Sequence, residues 1–153
     1  MLVLAAALLA APCNADPAYA VRSNPSPVRV AARAGKFVAS ARVDFSVQQI
    51  TPALVPSADS GLLDHVHGHL IVAQRVVRSA AASIQANGAT AAQAKAHLLQ
   101  TVTRMRRDLQ AELNREERVY DTVTANGAQQ SQGPAFGFPG GADAHTPCTQ
   151  PGR

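Results

Sequence analysis

Three of the chain's five histidines fall within five residues, in Asp64-His65-Val66-His67-Gly68-His69. If this stretch is helical, His65 and His69 project from one face a turn apart, while His67 lies about 160° round the wheel. Two imidazoles so placed can share one Zn²⁺ through ring nitrogens at roughly 2.0–2.1 Å, given at least one further protein ligand. The same spacing suits a plainer role, a histidine–carboxylate salt bridge between two helices. Hydrolysis makes a stricter demand. In His-Glu-x-x-His metallohydrolases the glutamate after the first histidine activates the metal-bound water, and here Val66 holds that position.

The elements that must position these histidines can be read from periodicity. From Asp59 or Ser60 a stripe runs through Leu62, Val66, His69, Ala73, Val76, Ala80 and Ile84 at three-and-four spacing, and Asn87-Gly88 is a stop signal. The expectation is a helix over 60–86. Thr90, with Gln93 three residues on, forms a capping box that opens a second helix over 90–123. Its stripe is Ala94, Leu98, Val102, Met105 and Leu109, continuing through Glu112 and Glu116, and Asn126-Gly127 ends it. A turn of about three residues between two such helices forces an antiparallel hairpin.

That hairpin suggests the missing ligand. With the turn near Gly88, His65 comes level with Glu112, and His69 level with Asp108. Carboxylates on an inward stripe are costly unless paired or metal-bound. Glu112 and Glu116 are therefore the expected carboxylate partners, and Asp121, about a turn further, is also a candidate.

Ahead of the helices, residues 21–27 carry Pro25 and Pro27 and read as an extended lead-in. Val28 to Ala32 and Phe37 to Gln48 read as a β-ribbon over 28–48 around Gly35-Lys36, with Phe37, Ala39, Ala41, Val43, Phe45 and Val47 on one face. A two-stranded ribbon needs an apolar support. The fold class expected is α+β: a long antiparallel helical hairpin with a small N-terminal β-ribbon. Residues 128–153, rich in Gly and Pro, read as an irregular tail.

Leu2 to Ala11 is an apolar run too short to span a bilayer. Pro12 and then Ala18-Tyr19-Ala20, an A-x-A pattern, follow it, so residues 1–20 read as a signal peptide and the product as secreted or periplasmic, with no stable membrane span after cleavage. One cysteine, Cys148, would remain, which gives no disulfide framework. Lys and Arg number 14 against 10 Asp and Glu, and the pI is 9.7. The basic residues are scattered among acids, and aromatics make up only 4%, so no stacking platform for nucleic acid is visible.

Leu62 to Ala73, followed by Glu112 to Gly127, resembles the secreted zinc-dependent protease family of bacteria, largely described as a domain of unknown function. Its pattern is a signal peptide, a β-rich front, a His-Glu-x-x-His helix followed by Gly-His, and a second helix ending in Tyr-Asp-x-x-Thr-x-His-Gly. The similarity covers residues 60–127 and implies a zincin-like domain over 21–127. His65 and His69 match the zinc-ligand histidines, and Tyr120, Asp121 and Thr124 match the second motif. Val66 replaces the glutamate and Asn126 replaces the histidine. The resemblance thus implies an exported metalloprotease-like protein that holds Zn²⁺ but is catalytically impaired, a pseudoenzyme. The alternative is a non-catalytic cell-envelope helical module that binds a protein or peptide partner.

Overall fold

The computed structural model describes residues 17–51 and 59–144. Most of the expected leader (1–16), both cysteines and the Pro52–Pro56 break lie outside them. The elements, in order, are β1 (Tyr19–Pro25), β2 (Arg29–Arg33), β3 (Lys36–Gln49), α1 (Ser60–Arg78), β4 (Ala82–Gly88), α2 (Ala91–Val123) and a short 3₁₀ helix (Gln130–Phe136). The protein is α+β, with a small antiparallel sheet and one very long helix.

β3 is the hub of the sheet. It pairs antiparallel with β1 along 43–49, with β2 along 36–40 and with β4 along 37–43. Residues 37–40 pair with both β2 and β4, so those two strands take opposite edges. The reason is visible in the residues: Ala39, Ala41, Val43 and Phe45 alternate onto one buried face, the period a half-buried strand requires. α2 covers that face. Its Ala94, Leu98, Val102 and Leu113 join Tyr19, Val21 and Ile84 in the main core. At 33 residues, α2 is roughly 50 Å long, more than the sheet needs.

Local signals set the helix starts. The Asp59 side chain accepts from Leu62 N at 3.1 Å, and Thr90 Oγ1 accepts from Gln93 N at 3.2 Å. Gln93 reaches back to Ala89 N at 3.1 Å, one residue earlier than the reciprocal bond of a standard capping box.

Three expectations need correcting. First, the helix over 60–86 stops at Arg78, and Ala82–Gly88 is a strand on the edge of β3. Only Ile84 of this segment carried the helical stripe, whereas Ala82, Ile84 and Ala86 alternate at period two, with Ser83, Gln85 and Asn87 exposed between them. The open edge of β3 decides for the strand. The two helices are consequently not joined by a tight hairpin turn. They do cross antiparallel, with His65 beside Thr124, His69 beside Asp121 and Arg75 beside Glu116. Second, the segment read as a lead-in is β1, and its Tyr19 and Ala20, assigned to the signal peptide by the A-x-A pattern, begin that strand. Third, 128–144 is not a loose tail. Gln130 and Gly133 are buried in the 3₁₀ helix, and Ala142 N, Ser131 N and Ala144 N bond to Asp64, Asp143 and Gly127 O respectively.

Candidate metal centre

α1 turns Leu62, His65, Gly68, His69, Val72 and Ala73 inward. His65 is fully buried and His69 is 2% exposed, while His67 is exposed and Val66 half-buried. The partner surface is the last turns of α2, where Tyr120 and Thr124 are both buried. The α2 stripe therefore changes chemistry along its length: aliphatic over the sheet, hydroxyl and carboxylate over α1.

His65, His69 and Asp121 lie close enough together to hold a metal ion, their ligand atoms all within 4.8 Å of one another. His65 Nε2 and His69 Nε2 are 3.2 Å apart. Asp121 Oδ1 lies 3.0 Å from His69 Nε2 and 3.5 Å from His65 Nε2. A tetrahedral cation with bonds of about 2.0–2.1 Å sets neighbouring ligands about 3.3 Å apart, so the three edges match the donor triangle such an ion needs. Two neutral nitrogens and a carboxylate oxygen are also the donor chemistry zinc takes.

The surroundings fix which nitrogen of His65 carries its proton. Gln130 Nε2 donates to Tyr120 Oη at 2.6 Å and to Pro139 O at 3.1 Å, which leaves Gln130 Oε1 to accept from His65 Nδ1 at 3.3 Å. Thr124 Oγ1 donates to Tyr120 O at 2.8 Å, so towards His65 Nδ1, at 3.3 Å, it also accepts. Tyr120 Oη completes the circuit by donating to His65 O at 3.2 Å. With Nδ1 protonated and facing two acceptors, a neutral His65 presents the lone pair of Nε2 to Asp121 and His69. An imidazole held by its far N–H is the usual outer support of a metal ligand.

Packing holds the rings as tightly as the hydrogen bonds do. Tyr120 stacks on His65 at 5.0 Å and meets His69 edge-on at 5.0 Å. Gly68 has no Cβ because Tyr120 occupies that space: a Cβ there would overlap the tyrosine hydroxyl. Gly127, at φ +92°, is similarly close to His65, its hypothetical Cβ lying 3.1 Å from that of the histidine.

Two titrating groups feel this environment. Burial alone would raise the Asp121 pKa, but hydrogen bonds and positive charge from His65 and His69 in their protonated forms outweigh it and hold it down to about 2. Burial pushes the Tyr120 phenol up to about 12, against a lowering hydrogen bond from Gln130 and with help from Asp121 and Asp64. At neutral pH the carboxylate is therefore charged and the phenol neutral.

A cleft of about 250 Å³ opens on His69 and Asp121. Its walls include Tyr19, Asn114, Glu117 and Arg118. Glu117 precedes Asp121 by one helical turn, which brings a second carboxylate to the same opening.

The other carboxylates expected at the site lie elsewhere. Glu112 is half exposed and pairs with Arg115 at 3.7 Å. Glu116 faces Arg75 at 3.3 Å, and Arg75 in turn lies over Phe138 and bonds Gly137 O. The expected register was about three turns out, because β4 takes up residues that were counted as helix and because the first turns of α2 pack on the sheet. Of the remaining motif-matching positions, Asn126 adopts a left-handed φ of 53° in the turn after α2. Gln130 was missed altogether. A glutamine among glycines and prolines carries no periodic signal, and only the fold reveals that it is buried.

Comparison with protein-family models, curated proteins and solved structures returns no match for this chain. Among the described residues, no helix is long and apolar enough to cross a membrane.

Proposed function

We propose that this is an exported, metalloprotease-like protein that binds Zn²⁺ through His65, His69 and Asp121 and has impaired hydrolytic chemistry. The observation that carries the reading is the donor triangle, with edges of 3.0, 3.2 and 3.5 Å between two buried histidines and a half-buried aspartate. The helix motif without its glutamate and the Tyr-Asp-x-x-Thr sequence support kinship with the secreted zinc-protease family. A bound cation would supply a polarised water and a Lewis acid at the floor of the cleft. His65, His69 and Asp121 hold it, while Gln130, Thr124 and Tyr120 orient His65. Val66 accepts no proton, and Glu117 is a further carboxylate on the cleft wall.

Without metal, one proton on His69 Nε2 can serve both Asp121 and the His65 lone pair. Both Nε2 atoms would give their lone pairs to a cation, with the His69 proton moving to its Nδ1, and because ligating nitrogens must be unprotonated, affinity should fall as pH drops. The test is zinc content and affinity of the purified protein beside His65→Ala/His69→Ala and Asp121→Asn variants. Near-stoichiometric zinc lost in both variants supports the site, and Val66→Glu then asks whether hydrolysis returns. Wild-type protein with no more zinc than the double variant removes the metal reading. It would leave a helical module whose buried histidines serve only to pair α1 with α2 and whose partner is a protein or peptide.

A further inference from the structure

The leader and the folded domain make competing claims on residues 18–20. Ala18-Tyr19-Ala20 is a small-x-small pattern of the kind a leader peptidase cuts after, yet the same residues are built into the sheet. Ile50 N donates to Ala18 O at 2.7 Å. Tyr19 is 6% exposed within the main core, and its carbonyl accepts from Gln110 Nε2 at 3.1 Å. Tyr19 pairs with Gln49 and Ala20 with Gln48 at the end of β1.

Cleavage after Ala20 would have a further cost. Val21 N donates to Gln110 Oε1 at 2.8 Å, and Val21 is 1% exposed. The cut would turn that amide into an ammonium group at a buried residue, where an unpaired charge is strongly disfavoured. It would also remove a core tyrosine, a loss of the large-to-small kind.

The sequence offers a second small-x-small pattern five residues earlier, Cys13-Asn14-Ala15, after the apolar run and Pro12. We propose that the leader peptidase cuts between Ala15 and Asp16, so that the mature chain begins at Asp16. Hydrolysis there breaks the Ala15–Asp16 amide, with water supplying the hydroxyl of the new Ala15 carboxyl and a proton for the new Asp16 amine. Every residue of β1 is retained. So are Pro17, Ala18 and Tyr19, which line the cleft beside His69 and Asp121. Maturation at Ala15 therefore leaves the mouth of the candidate metal centre intact, whereas maturation at Ala20 would strip one wall from it. The inference rests on the export reading but not on metal binding.

The experiment is N-terminal sequencing and intact mass of the full-length gene product recovered from the envelope and medium of an exporting cell. Asp16 as the first residue is expected. A start at Val21, or a lipid-modified Cys13, overturns the cut site while leaving export standing. A chain that keeps its leader and stays in the cytoplasm overturns both. Two substitutions sharpen the result. Ala15→Asp should accumulate the precursor, whereas Ala18→Asp, at an exposed position of the folded domain, should leave processing unchanged. Processing that survives Ala15→Asp, or is lost with Ala18→Asp, overturns the proposal.

Discussion

The two ends of α2 solve the same packing problem with opposite chemistry. From Ala94 to Leu113 its buried positions are aliphatic and press on the sheet. At Tyr120, Asp121 and Thr124 the inward positions are polar and meet His65 and His69. Apolar burial is non-directional and tolerates small shifts. The polar end holds only while each donor finds its acceptor, because an unmatched buried group costs more than a matched one returns. Stability should therefore concentrate at the first end and geometry at the second.

The largest expected effect tests the first half of that contrast. Leu113 is wholly buried in the main core, and Leu113→Ala should destabilise by about 2–5 kcal/mol. Zinc affinity of the folded fraction should stay near that of the parent. Chemical denaturation and metal titration of the same preparation separate the two readouts, and a large affinity change would erase the division of labour.

Gly68→Ala comes next and crosses the boundary. In an exposed helix this change would stabilise by up to about 1 kcal/mol. Here the added methyl meets the Tyr120 hydroxyl, and overpacking of this kind costs about 1–3 kcal/mol. The tyrosine must shift, which loosens its bonds to His65 O and Gln130 and weakens metal binding as well. Tyr120→Phe in the same chain should restore only a small part of the stability, since it deletes the hydroxyl oxygen but leaves the ring Cζ that the methyl also meets.

These positions also show what could be read from the residues alone. The alternation of β3, the cap at Thr90 and the shared face of His65 and His69 are local properties, and local spacing carried them. The strand at Ala82–Gly88 is not local. Ala80 and Ile84 continue the helical stripe while Ala82, Ile84 and Ala86 alternate, and the edge of a strand some forty residues earlier selects the strand. The misplaced carboxylates follow from that one error. Counting 79–86 as helix, with the turn near Gly88, brings Glu112 opposite His65, whereas the true crossing brings Thr124 there. Gln130 was illegible for another reason: its role depends on an acceptor facing His65 Nδ1, and nothing in a Gly/Pro-rich stretch encodes that.

Acid should reveal the polar end on a smaller scale. The Asp121 pKa in the fold, about 2, lies below its ordinary value of 3.8, so folding favours the ionised form. Its contribution, roughly 2 kcal/mol, is complete above about pH 4 and is lost as pH falls through about 2. In metal-free protein, the unfolding free energy measured across that window should drop more steeply for the parent than for Asp121→Asn. Equal slopes would mean that the histidines do not hold the carboxylate in its charged form.

The subtlest prediction concerns Gln130, which touches no metal and lies outside the helix motif. Gln130→Met keeps the volume but removes both the acceptor for His65 Nδ1 and the donor to Tyr120 Oη. Thr124 Oγ1 still accepts from Nδ1, so the fold should survive with a loss of about 1–3 kcal/mol from the unmatched polar groups. Zinc affinity should fall about 10–100-fold, the usual consequence of removing an outer hydrogen bond from a ligating histidine. Competition titration against a chelator of known affinity measures it. An unchanged affinity would show that Thr124 alone suffices to orient the ring, and the division between a stabilising end and a geometric end would then stop at α2 rather than extend into the 3₁₀ segment.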